Sequence, residues 1–495
     1  MTIVWLYYLI IVDGVLEVLP YGVAVTTWTL WYCDLNRLEH IMETLPLDIL
    51  LYIIDLLAGE DDVDVKSLRI LSQTCKSMVP LCRKHLFSSL RLCREFELNS
   101  ERFSDLLSKN PDIARYVRSL NYDVYLLPIS DHELNILETL KERSSLQSIE
   151  LSSGLRWFHW NLLTESVRSS LVSLIQLPTV TFLNIHTFDG FPATALSGCG
   201  NLIDLKLGEI NLAPPEVSQV ISRNKIPAPV SLYIDKDTYG LAALLNSASL
   251  HAGDPIIDFS RLQKAEFEVE SRDDLNQVSE LIKATTRLEY FCLDTDTRGE
   301  WTGIVTYQKV LTDDILLVLQ PLQLAGLGAS LAISNTCRTL KFLDLYIVVV
   351  GDDYDPLCGL DRELKFIAGN NILEELKLYV VVQDDLPCRT ESKDWSAFDS
   401  VLTESGAFPM LHRVLVEIWW YTASRNLSEQ DAVLESLKED KFPRLVKSKA
   451  VEFNFHAKIQ DVSWCVRWWI TMRIESGFAK LVISSSYIWC LINIV

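Results

Sequence analysis

Basic residues are scarce in this chain. Forty-five Lys and Arg stand against 66 Asp and Glu, a formal charge of −21 over 495 residues. A surface that tracks nucleic-acid phosphates needs the opposite balance, and so does one that docks on anionic lipid. No run of Lys or Arg makes a local exception, so neither partner is expected. The eleven cysteines, at 33, 75, 82, 93, 199, 292, 337, 358, 388, 465 and 490, include no C-x-x-C pair, and their number is odd. That argues against a zinc site or a disulfide framework and for buried thiols in a reducing compartment, the cytoplasm or nucleus. The chain has no Gly-x-x-x-x-Gly-Lys-Ser/Thr loop, no His-Glu-x-x-His and no Gly-x-Ser-x-Gly. Gly326-Leu327-Gly328 lacks a third glycine and reads as a turn, and His132, between Asp131 and Glu133, reads as surface. No catalytic residue, cofactor or metal site is expected.

Long hydrophobic runs are also missing. The uncharged stretch 2–12 is too short to span a bilayer, and 18–33 is broken by Pro20-Tyr21-Gly22. No basic residue precedes Arg37, so a secretory signal is not expected. Residues 1–41 read as an apolar N-terminal extension, with Met42, two residues before a Thr44 cap, as the expected translation start. What is present is core material: 49% of residues are hydrophobic and 22% charged, enough for two or three domains or one repeat array.

From residue 45 the chain reads Leu-Pro-Leu-Asp-Ile-Leu-Leu-Tyr-Ile-Ile-Asp-Leu-Leu. Thr44 can cap a helix, and Pro46 suits its first turn, where the missing N–H costs nothing. Only Asp48, Tyr52 and Asp55 are polar; they form one stripe on a helix otherwise apolar all round, which demands cover on nearly every side. A second helix carries Leu68, Leu71, Cys75 and Met78 at i, i+3, i+7 and i+10. A third short helix follows Pro80, with Leu81, Leu86 and Phe87 as anchors. Leu45-Pro46, Ile49-Leu50, Ile53-Ile54, Leu68-x-x-Leu71, Cys75-Lys76 and Leu86-Phe87 resemble an F-box in order and spacing. Asp48 stands where that family has Glu, and Met78 where it has Trp. An ordinary three-helix piece of core is the plain alternative. The resemblance implies docking on the Skp adaptor of a cullin–RING ubiquitin ligase through Leu45, Pro46, Ile49, Leu50, Ile53, Leu71 and Met78.

Beyond residue 115 the pattern apolar-x-x-apolar-x-apolar recurs. It begins at Val117, Leu146, Val180, Leu202, Pro229, Leu262, Leu288, Leu340, Leu373 and Leu411. Its last two positions alternate like a strand with one buried face. Helical stretches lie between, three of them opened by capping boxes at Ser130/Glu133, Ser271/Asp274 and Ser428/Asp431. The interval from Leu288 to Leu340 is 52 residues, room for a degenerate repeat or an insertion. One strand and one helix per unit is the leucine-rich-repeat plan, although the inner Asn ladder is missing. A parallel α/β sheet shows the same alternation.

The whole resembles the fungal-type F-box proteins with degenerate leucine-rich repeats. The expected fold is α/β: a short all-α three-helix F-box at 42–91, an irregular leucine-rich-repeat-like solenoid at 92–470, and a C-terminal cap or tail at 471–495. The implied function is substrate recognition in an SCF-type ubiquitin ligase, without catalysis by this chain. The alternatives are an interaction scaffold outside ubiquitin transfer and an α/β enzyme. Aromatic runs at Trp157-Phe158-His159-Trp160, Trp419-Trp420-Tyr421 and 464–469 read as interface anchors or as packing that closes the array. Acidic pairs follow several strands, and Asp352, Asp353, Asp384 and Asp385 are nearly in register. They are the expected binding ledge for a protein substrate with a basic segment.

Overall fold

A computed structural model describes residues 46–461. The described set leaves out 58–61, 75–77, 94–96, 125–129, 155–156, 214–225, 236–238, 240, 242–243, 245–254, 296–321, 351–356, 384–392, 423–433 and 435. The N-terminal extension, Met42, Leu45, the Ser428 capping box and the aromatic run at 464–469 lie outside the described residues. The chain divides into two compact units, Met1–Pro229 with Asp237–Asp258, and Val230–Lys236 with Phe259–Val495.

The first unit opens with helices α1 (Leu47–Leu57), α2 (Asp62–Thr74) and α3 (Met78–Leu86). The Pro46 carbonyl accepts the first amides of α1, from Ile49 and Leu50, each at 3.1 Å. Leu50, Ile54, Leu68, Leu71, Met78 and Cys82 close one apolar cluster among the three helices. The chain then runs at once into β1 (Ser89–Leu92). The Ser88 carbonyl, between α3 and β1, accepts the amides of Arg118 at 2.7 Å and Ser119 at 2.9 Å.

Strands β1, β2 (Ser119–Val124) and β3 (Ser148–Ser153) are parallel and consecutive, with α4 (Glu97–Lys109) and α5 (Asp131–Arg143) between them. Helix α6 (Glu165–Ile175) follows β3. The small strands β4 (Phe158–His159), β6 (Phe188–Pro192) and β8 (Asn211–Ala213) form a separate three-stranded sheet, while β5 (Phe182–His186) and β7 (Asp204–Gly208) continue the main one. In-register apolar pairs line its inner face: Leu120, Ile149, Leu183 and Leu205 sit side by side, each fully buried. The small sheet is held by aromatic packing, with the Trp160 ring centroid 4.8 Å from Phe191 and 5.6 Å from Phe188. The capping box of α5 is present: Ser130 Oγ accepts the Glu133 amide at 3.2 Å, and Glu133 accepts the Ser130 amide at 3.3 Å.

The second unit carries seven further parallel strands: β9 (Ser231–Ile234), β10 (Lys264–Glu268), β11 (Tyr290–Asp294), β12 (Phe342–Val350), β13 (Glu375–Gln383), β14 (Arg413–Thr422) and β15 (Glu452–Asp461). Helices α7 (Arg272–Ala284), α8 (Leu327–Ile333), α9 (Leu360–Ile367), α10 (Lys393–Thr403) and α11 (Pro443–Lys447) link them. Register is set by the buried face, since a slip of one residue would expose it. Leu232, Ala265, Phe291, Leu343, Leu376 and Val414 are consecutive partners, all buried. Helix α7 has the expected capping box, with Ser271 Oγ accepting the Asp274 amide at 3.2 Å. Strand β11 pairs directly with β12, so the two are neighbours in the sheet despite the long interval between their apolar signatures.

The expected architecture, a short all-α three-helix F-box followed by an irregular leucine-rich-repeat-like solenoid, is thereby corrected. The protein is α/β, built on parallel sheet strands, five in the first unit and seven in the second. The N-terminal helices are not a free-standing all-α piece, because α3 leads through Ser88 into the first sheet strand. Apolar-x-apolar alternation encodes a strand with one buried face and nothing more specific, so the sequence pattern could not choose between the two plans.

Candidate functional site

Two surfaces carry chemistry, one in each unit. The first is the outside of α1. Its inward stripe, Leu50, Ile54 and Leu57, packs on the helical cluster. Large apolar side chains remain in solvent around it: Leu47 is 59% exposed, Ile49 40%, Leu51 38% and Tyr52 63%, with Ile70 of α2 at 45%. Five such groups on so short a stretch form a patch of the kind that marks an interaction site. Asp55 holds the helix in place from its polar side, 3.1 Å from His85 Nε2 of α3.

The expected adaptor-binding residues divide. Pro46 and Ile49 are exposed; Leu50, Leu71 and Met78 are buried in the cluster; Leu45 and the side chain of Ile53 lie outside the described residues. Sequence reading missed Leu47, Leu51, Tyr52 and Ile70. Helix phase held the signal: with Leu50 pointing inward, Ile49 and Leu51 lie roughly 100° to either side of it.

The second surface is the outward face of the sheet in the second unit. Alternation puts Tyr290, Cys292 and Asp294 of β11 on it, followed by Phe342, Asp344 and Tyr346 of β12. β13 adds Glu375, Lys377 and Tyr379, and β14 adds Arg413 and Glu417. The charges are cross-linked between strands. Tyr290 Oη donates to Asp344 Oδ2 at 3.0 Å, and Lys377 Nζ lies 3.5 Å from that oxygen and 3.2 Å from Glu375. Arg413 spans Glu375 at 3.7 Å and Glu452 at 3.5 Å. The rings of Tyr346 and Tyr379 stack 4.3 Å apart at 7°. Trp419 Nε1 donates to Glu417 at 2.6 Å, and Lys458 lies over the Trp419 ring.

Burial dominates the ionisation of this face. Asp344 is 5% exposed, and desolvation raises its carboxyl above the ordinary range, against the pull of Lys377 and the Tyr290 hydroxyl. Cys292 is pushed up to about 12, first by burial and then by Asp344, Glu266 and Asp294. Such a thiol stays protonated and unreactive at neutral pH.

The expected acidic ledge of Asp352, Asp353, Asp384 and Asp385 lies outside the described residues. Of the aromatic runs, Trp160 and Trp420 are buried, while Trp157 is exposed against Tyr239, ring centroids 5.6 Å apart. A cavity of about 280 Å³ between β1 and α4 is lined by Leu90, Leu92, Phe103 and Leu106, with Arg91, Ser100 and Arg102 as its polar groups. Among the described residues, no group of three or more His, Cys, Asp or Glu could hold a metal ion, and no helix is long and apolar enough to cross a membrane. No protein-family model matches the chain, and no curated protein matches it at a significant level.

Proposed function

We propose that this chain is a substrate-recognition subunit of an SCF-type ubiquitin ligase, acting in the cytoplasm or nucleus. In this reading α1 to α3 serve as an F-box that docks on the Skp adaptor, and the outward face of the second unit's sheet binds the substrate. The reading is carried by the apolar side chains left in solvent on α1 and α2, in the segment whose order and spacing resemble an F-box. Leaving that much apolar surface wet forfeits about 25 cal/mol per Å², which a partner helix recovers. The chain itself performs no chemistry. Its contribution is proximity, holding a substrate near a ubiquitin-transfer centre supplied by other subunits.

The test is co-purification of the Skp adaptor with Leu47→Ala, Ile49→Ala and Leu51→Ala combined. The three side chains are exposed and alanine is a strong helix former, so thermal stability is expected to stay within about a degree or two. Interface anchors cost about 2 kcal/mol each on truncation, so adaptor binding is expected to fall by more than thirtyfold. Adaptor recovery equal to wild type removes the ligase reading and leaves an interaction scaffold.

A further inference from the structure

The first strand of the first unit is an open edge. β1 pairs with β2 on one side, and among the described residues no strand pairs with it on the other. The Ser88 carbonyl accepts the Ser119 amide of β2 at 2.9 Å, and in a parallel ladder successive residues turn their backbone groups to opposite sides. Leu90 and Leu92 therefore face β2 with theirs, and Ser89 and Arg91, both exposed, face outward. A free row of amides and carbonyls is a template for a further strand.

The cavity of about 280 Å³ lies beside this edge. Leu90 and Leu92 line it from the sheet, in register with the buried Leu120 and Tyr122, and Phe103 and Leu106 line it from α4. Elsewhere in the unit such a residue has a neighbour in register on both sides. Leu120, between Leu90 and Ile149, is fully buried, whereas Leu90, with a neighbour on one side, is only half-buried. The volume is below the roughly 300–1,000 Å³ of sites that enclose a small molecule. It suits the apolar side chain that a further strand would bring to the same layer.

Charge narrows the ligand. Arg102 stands at the cavity, exposed and without an ion pair among the described residues. Arg91 is already held by Asp123 at 3.6 Å, and no described carboxylate lines the cavity. In a chain of charge −21 this rim is locally basic. Side chains i and i+2 of an extended segment lie on one face, about 7 Å apart. An apolar residue in the cavity thus brings the residue two positions on to the rim, where Arg102 supplies a counter-charge to a carboxylate.

We propose that the β1 edge binds an extended segment of a protein partner by strand addition, with a large apolar residue at i in the cavity and Asp or Glu at i+2 on Arg102. Ser89 and Arg91 supply the backbone hydrogen bonds, and the cavity and Arg102 supply the specificity. The site is separate from the exposed side chains of α1 and does not depend on the ligase reading.

Fluorescence anisotropy with the full chain tests this, using a labelled Ser-Gly-Thr-Leu-Thr-Glu-Thr-Gly-Ser peptide at about 0.15 M salt, where screening over about 8 Å damps the chain's distant charges. A peptide of identical composition with Leu and Glu adjacent is expected to bind at least tenfold more weakly. So is one N-methylated at Leu and the following Thr, since one of those two amides must face β1. Arg102→Glu is expected to weaken the original peptide at least tenfold and to favour its Glu→Lys counterpart, with the melting temperature unchanged because Arg102 is exposed. Equal binding of the spaced and adjacent peptides, or binding of neither, overturns the proposal on the wild-type protein alone. Unchanged binding of the N-methylated peptide overturns strand addition. Sedimentation of the same preparation covers the other occupant: a dimer that Arg102→Glu converts to monomer, with no peptide bound by wild type, assigns the edge to a second copy of this chain and likewise overturns the proposal.

Discussion

Asp399 shows how a single buried charge is placed to hold two elements together. It lies in α10 at 2% exposure and accepts the amides of Arg444 at 3.1 Å and Leu445 at 2.9 Å, at the start of α11. Burial raises its carboxyl, and the two amides pull the other way without cancelling the shift. Asp399→Ala strands both amides in a buried place, at about 1–3 kcal/mol for the unmade bonds, so the melting temperature is expected to fall. The pH dependence has a fixed sign. A carboxyl whose folded value is raised favours the folded state when protonated, so its stabilisation is present at low pH and is lost as pH rises through the folded value. The deficit of the variant relative to wild type is therefore larger at about pH 4 than at pH 7, read from urea midpoints at the two values. A deficit that shrank on acidification would mean the carboxylate is stabilised by its amides after all. Nothing in the sequence around Trp395 to Thr403 announced this role. The partner amides are more than forty residues away, and only the packing of α10 on α11 brings them to the carboxylate.

The elements themselves were far more legible. The last two positions of all ten apolar signatures fall on strands, and both capping boxes within the described residues open helices. Short-range periodicity and cap chemistry are local properties, so a sequence displays them directly. β1 escaped notice although Phe87, Leu90 and Leu92 have the same spacing, because Phe87, as the last anchor of the third helix, hides the start of the pattern. β15 escaped because only Ala450 fills the leading position before Phe453 and Phe455. β4, β6 and β8 are two to five residues long, too short for alternation to register. The candidate substrate face was hidden for a different reason. Its members come from four strands, and their neighbourhood exists only once register is known. Close element packing was equally hidden. Gly328 in α8 lies against α9, where its amide donates to the buried Glu363 Oε2 at 2.8 Å, and an added Cβ would overlap the Glu363 backbone. Gly328→Ala is expected to force the two helices apart at a cost of about 1–3 kcal/mol, despite the better helix propensity of alanine. Thermal unfolding measures it, and a variant as stable as wild type would mean that α8 shifts without loss.

At the scale of the whole chain, a charge of −21 sets how its two surfaces respond to salt. The face of α1 is apolar, and apolar burial is insensitive to screening. The sheet face in the other unit carries several carboxylates, and the attraction of such a face for a cationic segment acts through solvent. Raising NaCl from about 0.1 M to about 1 M shortens the screening length from about 10 Å to about 3 Å, less than one strand spacing. Binding of a Lys-rich peptide to the sheet face is therefore expected to weaken at least tenfold over that range, and adaptor binding to change less than about twofold. Anisotropy titrations and adaptor pull-downs on one preparation give both numbers. A parallel loss of both would show that charge also holds the adaptor, and would move the docking surface from the exposed leucines of α1 to its stripe of Asp48, Tyr52 and Asp55. The opposite pattern, a salt-resistant peptide, would place the binding energy in the tyrosine pair and reduce the carboxylates to orientation.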